Sequence, residues 1–300
     1  MRQNKTLYFK PESIFAMIST TSPHQSSEPA RQPVLFMGHG SPMNVIDDNA
    51  FRPVWEQMGR LWESGGRWVK PRVILCISAH WCTEGTHLNA SAYPPTIHDF
   101  GAAYRVLFDL RYPAPGEPAL AQAWSKRLTQ ASKPQALVLG GESWGFDHGT
   151  WGVLRPLFPK ADIPVVQMSL DVHATLEQHA ALGTQLRTLR DEGVLIVASG
   201  NTVHNLRASE RSASDDQAAD WARLFDEFVA RSVLAKDHAA LCLGQANGQL
   251  LDAFRMSHPS IEHYLPLLYA AHASDDTDRV SFYCDQYQWK SVAMRSIVWS

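Results

Sequence analysis

The sequence predicts an α/β fold: three αβα layers around a largely parallel central sheet. Three observations carry this. Apolar runs of strand length recur between Gly, Ser, Asn and Pro residues. Helical patterns alternate with them, as parallel sheets with crossover helices require. Three of the runs end in a polar burst that holds a histidine, which places a site at the carboxyl edge of the sheet, where open α/β sheets bind ligands. In chain order, Pro33 to Met37 leads into Gly38-His39-Gly40-Ser41-Pro42, and Val73 to Ile77 leads into Ser78-Ala79-His80-Trp81. A helix is predicted from Pro118 to Ser132, with Leu120, Trp124, Leu128 and Ala131 on one face. Strands follow at Ala136 to Leu139 and Pro164 to Leu170. A second helix spans Thr175 to Glu192 and ends at Gly193 as a left-handed cap. The run Val194 to Ala198 feeds Ser199-Gly200-Asn201-Thr202-Val203-His204-Asn205. Ser214 and Gln217 have capping-box spacing ahead of a third helix with Trp221, Leu224, Phe225, Phe228 and Val229. Strands at Val280 to Cys284 and Val292 to Val298 complete the pattern.

No composition shift divides the 300 residues, so residues 33–300 are expected to form a single catalytic domain. Residues 1–32, rich in Ser, Thr, Pro and Gln, are expected to be a mobile N-terminal extension, with Met17 as an alternative start. They hold no apolar stretch long enough for a signal sequence, and no run approaches a membrane span, so a cytoplasmic location is expected. A hydrophobic content of 45% supplies a sizeable core. The net charge of −3, with Lys and Arg scattered, lacks the footprint of a nucleic-acid binder and points to a small-molecule partner. Cys76, Cys82, Cys242 and Cys284 form neither a CxxC pair nor a disulfide framework.

The histidines carry the chemistry. His39 lies between two glycines, which allow a sharp turn and close approach to a ligand. His80 and His204 follow apolar runs, His204 between Asn201 and Asn205, whose amides can orient a ring. His263 follows Ser260, read as an N-cap that puts the ring in a helix first turn, where the dipole favours neutral imidazole. His148 follows Asp147, and His98 sits in the Pro-rich loop Tyr93 to Phe100, predicted to be a lid together with Tyr112 to Gly116. His173, His179, His238, His258 and His272 fall on polar helix faces or linkers and are read as surface, while His24 and His87 have no supporting context. Glu142 is the only acid with a pocket-like setting. Imidazole-rich sites suit Zn, Fe, Cu or Ni rather than Mg or Ca. Neither a Gly-x-Ser-x-Gly elbow nor a P-loop lysine is present.

Six motifs, Gly38-His39-Gly40-Ser41-Pro42-Met43, Ser78-Ala79-His80-Trp81, Pro94 to Phe100, Gly145-Phe146-Asp147-His148-Gly149, Ser199-Gly200-Asn201 with His204-Asn205, and Glu262 to Pro266, occur in one order. Together they closely resemble the 4,5-DOPA extradiol dioxygenase family, class III ring-cleaving enzymes related to the catalytic subunit of protocatechuate 4,5-dioxygenase. The resemblance covers about residues 33–300. It implies a non-haem metal at the carboxyl edge of the sheet on His39, His80 and His263, with His204 as a further ligand or as the acid/base histidine. His148 matches a substrate-contacting and catalytic histidine, and His98 and Trp81 are candidate substrate contacts, with Tyr104 and Phe100 available to stack on a ring. The wider class uses two histidines and a carboxylate on Fe(II), so a third imidazole leaves this site more positive. The implied activity is cleavage of a catechol such as L-DOPA beside its diol, with both atoms of O2 inserted. Fe(II) is expected for activity, and Zn(II) is a possible bound ion without redox chemistry. Two alternatives use the same pocket differently: a zinc-dependent hydrolase, and a non-enzymatic binding protein of the Memo type.

Overall fold

The computed structural model describes residues 30–131, 137–140 and 144–300. Met17, His24 and Glu142 lie outside the described residues. Arg31 and Gln32, assigned to the extension by the sequence, are tied to the domain. Arg31 pairs with Asp191 and Asp275, and buried Gln32 accepts the indole N–H of Trp62 at 3.0 Å.

The first half of the chain gives β1 (Val34–Gly38), α1 (Arg52–Gly59), β2 (Val73–Thr83), β3 (Thr86–Asn89), α2 (Pro118–Ala131), β4 (Leu137–Gly140) and α3 (His148–Leu157). Then come β5 (Val165–Asp171), α4 (Leu176–Leu186), β6 (Val194–Gly200), α5 (Asp220–Leu234), α6 (Gly248–Ser257) and α7 (Leu265–Ala273). The C-terminal segment supplies β7 (Val280–Tyr283), β8 (Tyr287–Gln288), β9 (Val292–Ala293) and β10 (Ser296–Trp299).

Eight strands form one sheet in the order β4-β3-β5-β2-β6-β1-β10-β7. The four central strands β5, β2, β6 and β1 run parallel, and antiparallel pairings occur only towards the edges. The three-layer αβα architecture is therefore present. Alternate residues of each strand feed opposite faces. Val34, Phe36, Leu75, Ile77, Ile196 and Ala198 pack under α2, α4, α5 and α7. Leu35, Met37, Ile74, Cys76, Leu195 and Val197 pack under α1 and α3 through Trp55, Met58, Trp151 and Leu154.

Local chemistry accounts for several element ends. Thr175 and Gln178 form a reciprocal capping box at the start of α4, and Gly193 closes the 3-10 turn after it in the left-handed region at φ 79°. The capping box read at Ser214 and Gln217 does not form. Ser214 Oγ bonds Asp216 instead, and α5 begins at Asp220. The strand predicted from Val292 to Val298 is two, β9 and β10, because the backbone of Met294 and Arg295 passes against Gly38, where a Cβ would come within 2.6 Å of Met294.

Two histidines read as surface are buried. His179 lies on the inner face of α4 with Nδ1 2.7 Å from the Tyr269 hydroxyl, and His258 donates from Nε2 to the Thr202 carbonyl at 2.9 Å. Beneath the sheet edge, fully buried Asp226 accepts hydrogen bonds from Thr202, Tyr287 and Arg295, the last as a two-pronged ion pair at 2.9 and 2.6 Å. No helix among the described residues is long and apolar enough to cross a membrane.

Candidate active site

His39 leaves the end of β1 through Gly40, whose φ of +55° and whose proximity to Gln288 Oε1, 2.3 Å from where a Cβ would sit, exclude a larger residue. Its Nδ1 is 3.0 Å from Ser199 Oγ, and Ser199 in turn donates to the Gly149 carbonyl at 2.5 Å. With its proton committed, Ser199 accepts, so His39 carries its hydrogen on Nδ1 and presents a bare Nε2.

His80 arises differently from the sequence expectation. β2 does not stop at Ile77 but runs to Thr83, with a register shift against β5 between Ile77 and Cys82. Ser78 pins this irregularity, its Oγ accepting the His80 amide at 3.2 Å and donating to Asp147 at 2.6 Å. His80 Nδ1 lies 3.1 Å from Asp99 Oδ2, which leaves its Nε2 bare as well, only 3.2 Å from Nε2 of His39.

His263 precedes α7 in a turn rather than occupying its first helical turn, and Ser260 bonds Glu262 instead of capping the helix. The helix-dipole argument for this ring is therefore replaced by close packing on β6. The His263 carbonyl accepts the Asn201 amide at 2.9 Å, and a Cβ on Gly200 would meet that carbonyl at 2.3 Å. Its Nδ1 faces Glu262 Oε1 at 3.3 Å, and its Nε2 is buried without a hydrogen-bond partner.

The ligand atoms of His39, His80 and His263 all lie within 4.8 Å of one another. With both rings neutral, two lone pairs 3.2 Å apart face each other beside a third orphaned nitrogen, an arrangement that a bound cation reconciles. A metal held by three imidazoles therefore fits these residues. His80, Asp99 and His148 form a second such cluster, in which the Asp99 carboxylate lies 3.1 Å from Nδ1 of His80 and 3.0 Å from Nδ1 of His148.

His204 stacks on His263 with ring centres 3.5 Å apart and planes 3° from parallel, outside the three-imidazole group. His148 opens α3, and its ring centre is 3.9 Å from that of His80. Asp147 acts on it only through its charge, with no hydrogen bond between the two side chains. That carboxylate turns inward to cap α3 and collect Ser78, Trp144, Thr150 and Gln167. Asp99 is the acid beside His148, and the sequence reading passed over it in favour of its neighbour.

Burial holds His39 and His263 well below the ordinary imidazole range, and the surrounding histidines add to the effect. Burial pushes His204 down to about 3, with His80 contributing, and lowers His148. For His80 burial acts downward too, but the Asp99 hydrogen bond and the charges of Asp147, Asp99 and Glu262 leave it raised. Asp99 is held far below the carboxylate range, its burial outweighed by His148 and His80.

These groups line a cavity of about 450 Å³ whose remaining wall includes Phe100, Tyr104, Leu206, Trp289 and Val292. That volume suits a small aromatic ligand. His98 and Trp81, read as substrate contacts, do not line it. His98 donates from Nε2 to the Leu110 carbonyl at 3.1 Å and stacks on Phe108, and buried Trp81 stacks on Trp144. The loop turns Asp99 and Phe100 inward and His98 outward. Trp289 was missed. It stands in the β8–β9 hairpin with φ of 54°, followed by Lys290 at 64°.

A family model, described as the catalytic LigB subunit of aromatic ring-opening dioxygenase, matches residues 33–287. The chain belongs to this family. It is 41% identical over 271 residues to the 4,5-DOPA dioxygenase extradiol of Escherichia coli (strain K12), covering 89% of this chain and 94% of that protein. The 4,5-DOPA dioxygenase extradiol of Portulaca grandiflora is 32% identical, covering 81% and 87%. A crystal structure of an uncharacterized protein from Escherichia coli K12 superimposes with a TM-score of 0.72 at 37% identity, covering 89% of this chain and 99% of that one. The protein is thus an extradiol dioxygenase of the metal-dependent LigB family, acting on an aromatic substrate with O2. Neither the zinc-hydrolase nor the adaptor alternative is supported by these relatives.

Proposed function

We propose that the protein cleaves a catechol such as L-DOPA at the bond adjacent to the diol, adding both atoms of O2 and giving a ring-opened semialdehyde. The observation that carries this is the convergence of the bare nitrogens of His39, His80 and His263 in a cavity also walled by His148 and His204. His39, His80 and His263 hold the metal, which we take to be Fe(II). When bound it supplies a chelating centre for the diol and the one-electron chemistry that dioxygen needs to react with an aromatic ring.

The rest is done by the chain. His204 and His148, both kept neutral by burial, are the candidate acceptors for a catechol hydroxyl proton and its later donors. Of the two roles open to His204, acid/base is preferred, because its nitrogens fall outside the group formed by His39, His80 and His263. Phe100, Tyr104 and Trp289 confine the ring and exclude water from it. Zn(II) on the same imidazoles gives a filled but redox-inert site.

Anaerobic loading of the apo-protein with Fe(II), followed by L-DOPA and air, tests this reading. Stoichiometric oxygen uptake with a yellow ring-opened product is expected. Absence of uptake across a panel of catechols, with metal bound at the histidines, would refute it.

A further inference from the structure

Among the described residues, Asp99 is the one acid in contact with two of the five clustered imidazoles. Its Oδ2 is 3.1 Å from Nδ1 of His80, and its Oδ1 is 3.0 Å from Nδ1 of His148 while also accepting the His148 amide at 2.8 Å. That amide bond bends the contact to the His148 ring, whose Nδ1 has no well-aligned partner, a looseness common before substrate enters. The loop that carries Asp99 is fixed to the start of α3. The Ile97 amide donates to the Phe146 carbonyl at 2.9 Å, the Phe146 amide donates to the Pro95 carbonyl at 2.8 Å, and Trp151 Nε1 donates to the Ile97 carbonyl at 3.0 Å. A single carboxylate on a rigid support therefore spans a residue of β2 and the first residue of α3.

We propose that Asp99 is a positioning residue that sets two imidazoles at once. One oxygen keeps the proton of His80 on Nδ1, so that Nε2 faces the metal, and the other keeps the proton of His148 on Nδ1, so that its Nε2 is the free acceptor. This rests on the function proposed above, in which His80 binds the metal and His148 handles the substrate proton. Only a carboxylate serves both rings, because it offers two acceptor oxygens. An amide offers one acceptor and one donor, so one of the two rings must change tautomer. Outer partners of this kind typically change metal affinity by roughly 10–100-fold when removed.

The test compares wild type, Asp99→Asn and Asp99→Ala. Zn(II) affinity of each apo-protein is measured by competition with a chromophoric chelator, and the Fe(II) forms are assayed with L-DOPA at saturating metal. For Asp99→Ala, Zn(II) binding weakens roughly 10–100-fold. In Asp99→Asn the side-chain oxygen stays on the fixed His148 amide, so the NH2 group faces His80 and drives its proton to Nε2; Zn(II) binding weakens about as much as in Asp99→Ala, while kcat at saturating Fe(II) exceeds that of Asp99→Ala, which has lost the acceptor beside His148 as well.

Wild-type Zn(II) affinity in either variant, or wild-type kcat in Asp99→Ala, overturns the proposal. Should Asp99→Ala fail to fold, the Zn(II) affinity of Asp99→Asn decides alone. A wild-type protein that binds metal yet cleaves no catechol sinks the proposed function only, and the affinity ratio still decides the part played at His80.

Discussion

Replacing Ser199 with alanine isolates the tautomer of one metal-binding imidazole. Ser199 is fully buried in β6, so the change removes a single oxygen and leaves the packing of the sheet intact. What disappears is the acceptor that holds the proton of His39 on Nδ1 at 3.0 Å. A buried N–H without a partner costs about 1–3 kcal/mol. His39 avoids that cost by moving the proton to Nε2, where Nε2 of His80 waits as an acceptor 3.2 Å away. This tautomer cannot bind metal, so the same ~1–3 kcal/mol must be restored on binding, which weakens affinity roughly 5–150-fold. Chelator competition with Zn(II) measures the effect directly. The lost donor to the Gly149 carbonyl should lower the melting temperature by only about 2–4 °C, so affinity and folding are separable. An affinity within twofold of wild type would refute the assignment of protons in this site.

Other perturbations probe the remaining features. His39→Ala and His263→Ala should each abolish tight metal binding, seen as loss of stoichiometric metal after dialysis, because each removes one of three converging nitrogens; retained stoichiometry in either variant would exclude that residue as a ligand. Asp226→Ala strands the Arg295 guanidinium in the core and should destabilise the fold by about 3–5 kcal/mol in urea melts, whereas a loss below 1 kcal/mol would contradict the buried pair. His179 and His258 are both pushed down to about 4 by burial, below the unfolded value near 6.5. The unfolded chain takes up these protons first, so stability is complete above about pH 6.5 and falls toward pH 4, by up to ~1.4 kcal/mol per pH unit for each ring. His179→Gln should reduce that slope, and a flat profile between pH 7 and 5 would count against both rings being neutral in the fold.

The strands that deliver His39 and His204 were legible because each is a clean apolar run broken by glycine. β2 was read too short, since Ser78-Ala79-His80 looks like a loop and only the register shift keeps it in the sheet. β3 escaped notice as four mixed residues, Thr86 to Asn89, held by neighbours that the sequence does not reveal. His179 carried a usable signal, falling on the same helical face as Leu176, Ala180 and Gly183, but its polarity was allowed to outweigh its spacing. Asp99 stood beside His98 in a loop whose direction no periodicity fixes. Its only signal was that it is the one acid in an otherwise apolar, Pro-rich segment.

The β8–β9 hairpin also bears on how the pocket comes into being. Gln288 accepts the Ser41 amide at 2.9 Å and bonds Asn44, the Ala293 amide donates to Val203 and its carbonyl accepts Asn201, and the Asn205 amide reaches Ser291. The wall beside His39 is thus built from residues far along the chain, Gln288 standing 247 positions beyond the Ser41 it holds. A chain that stops after His263 has its clustered imidazoles in order but no enclosure, so a truncation before Val292 leaves the ligands and takes away the wall that Trp289 and Val292 supply.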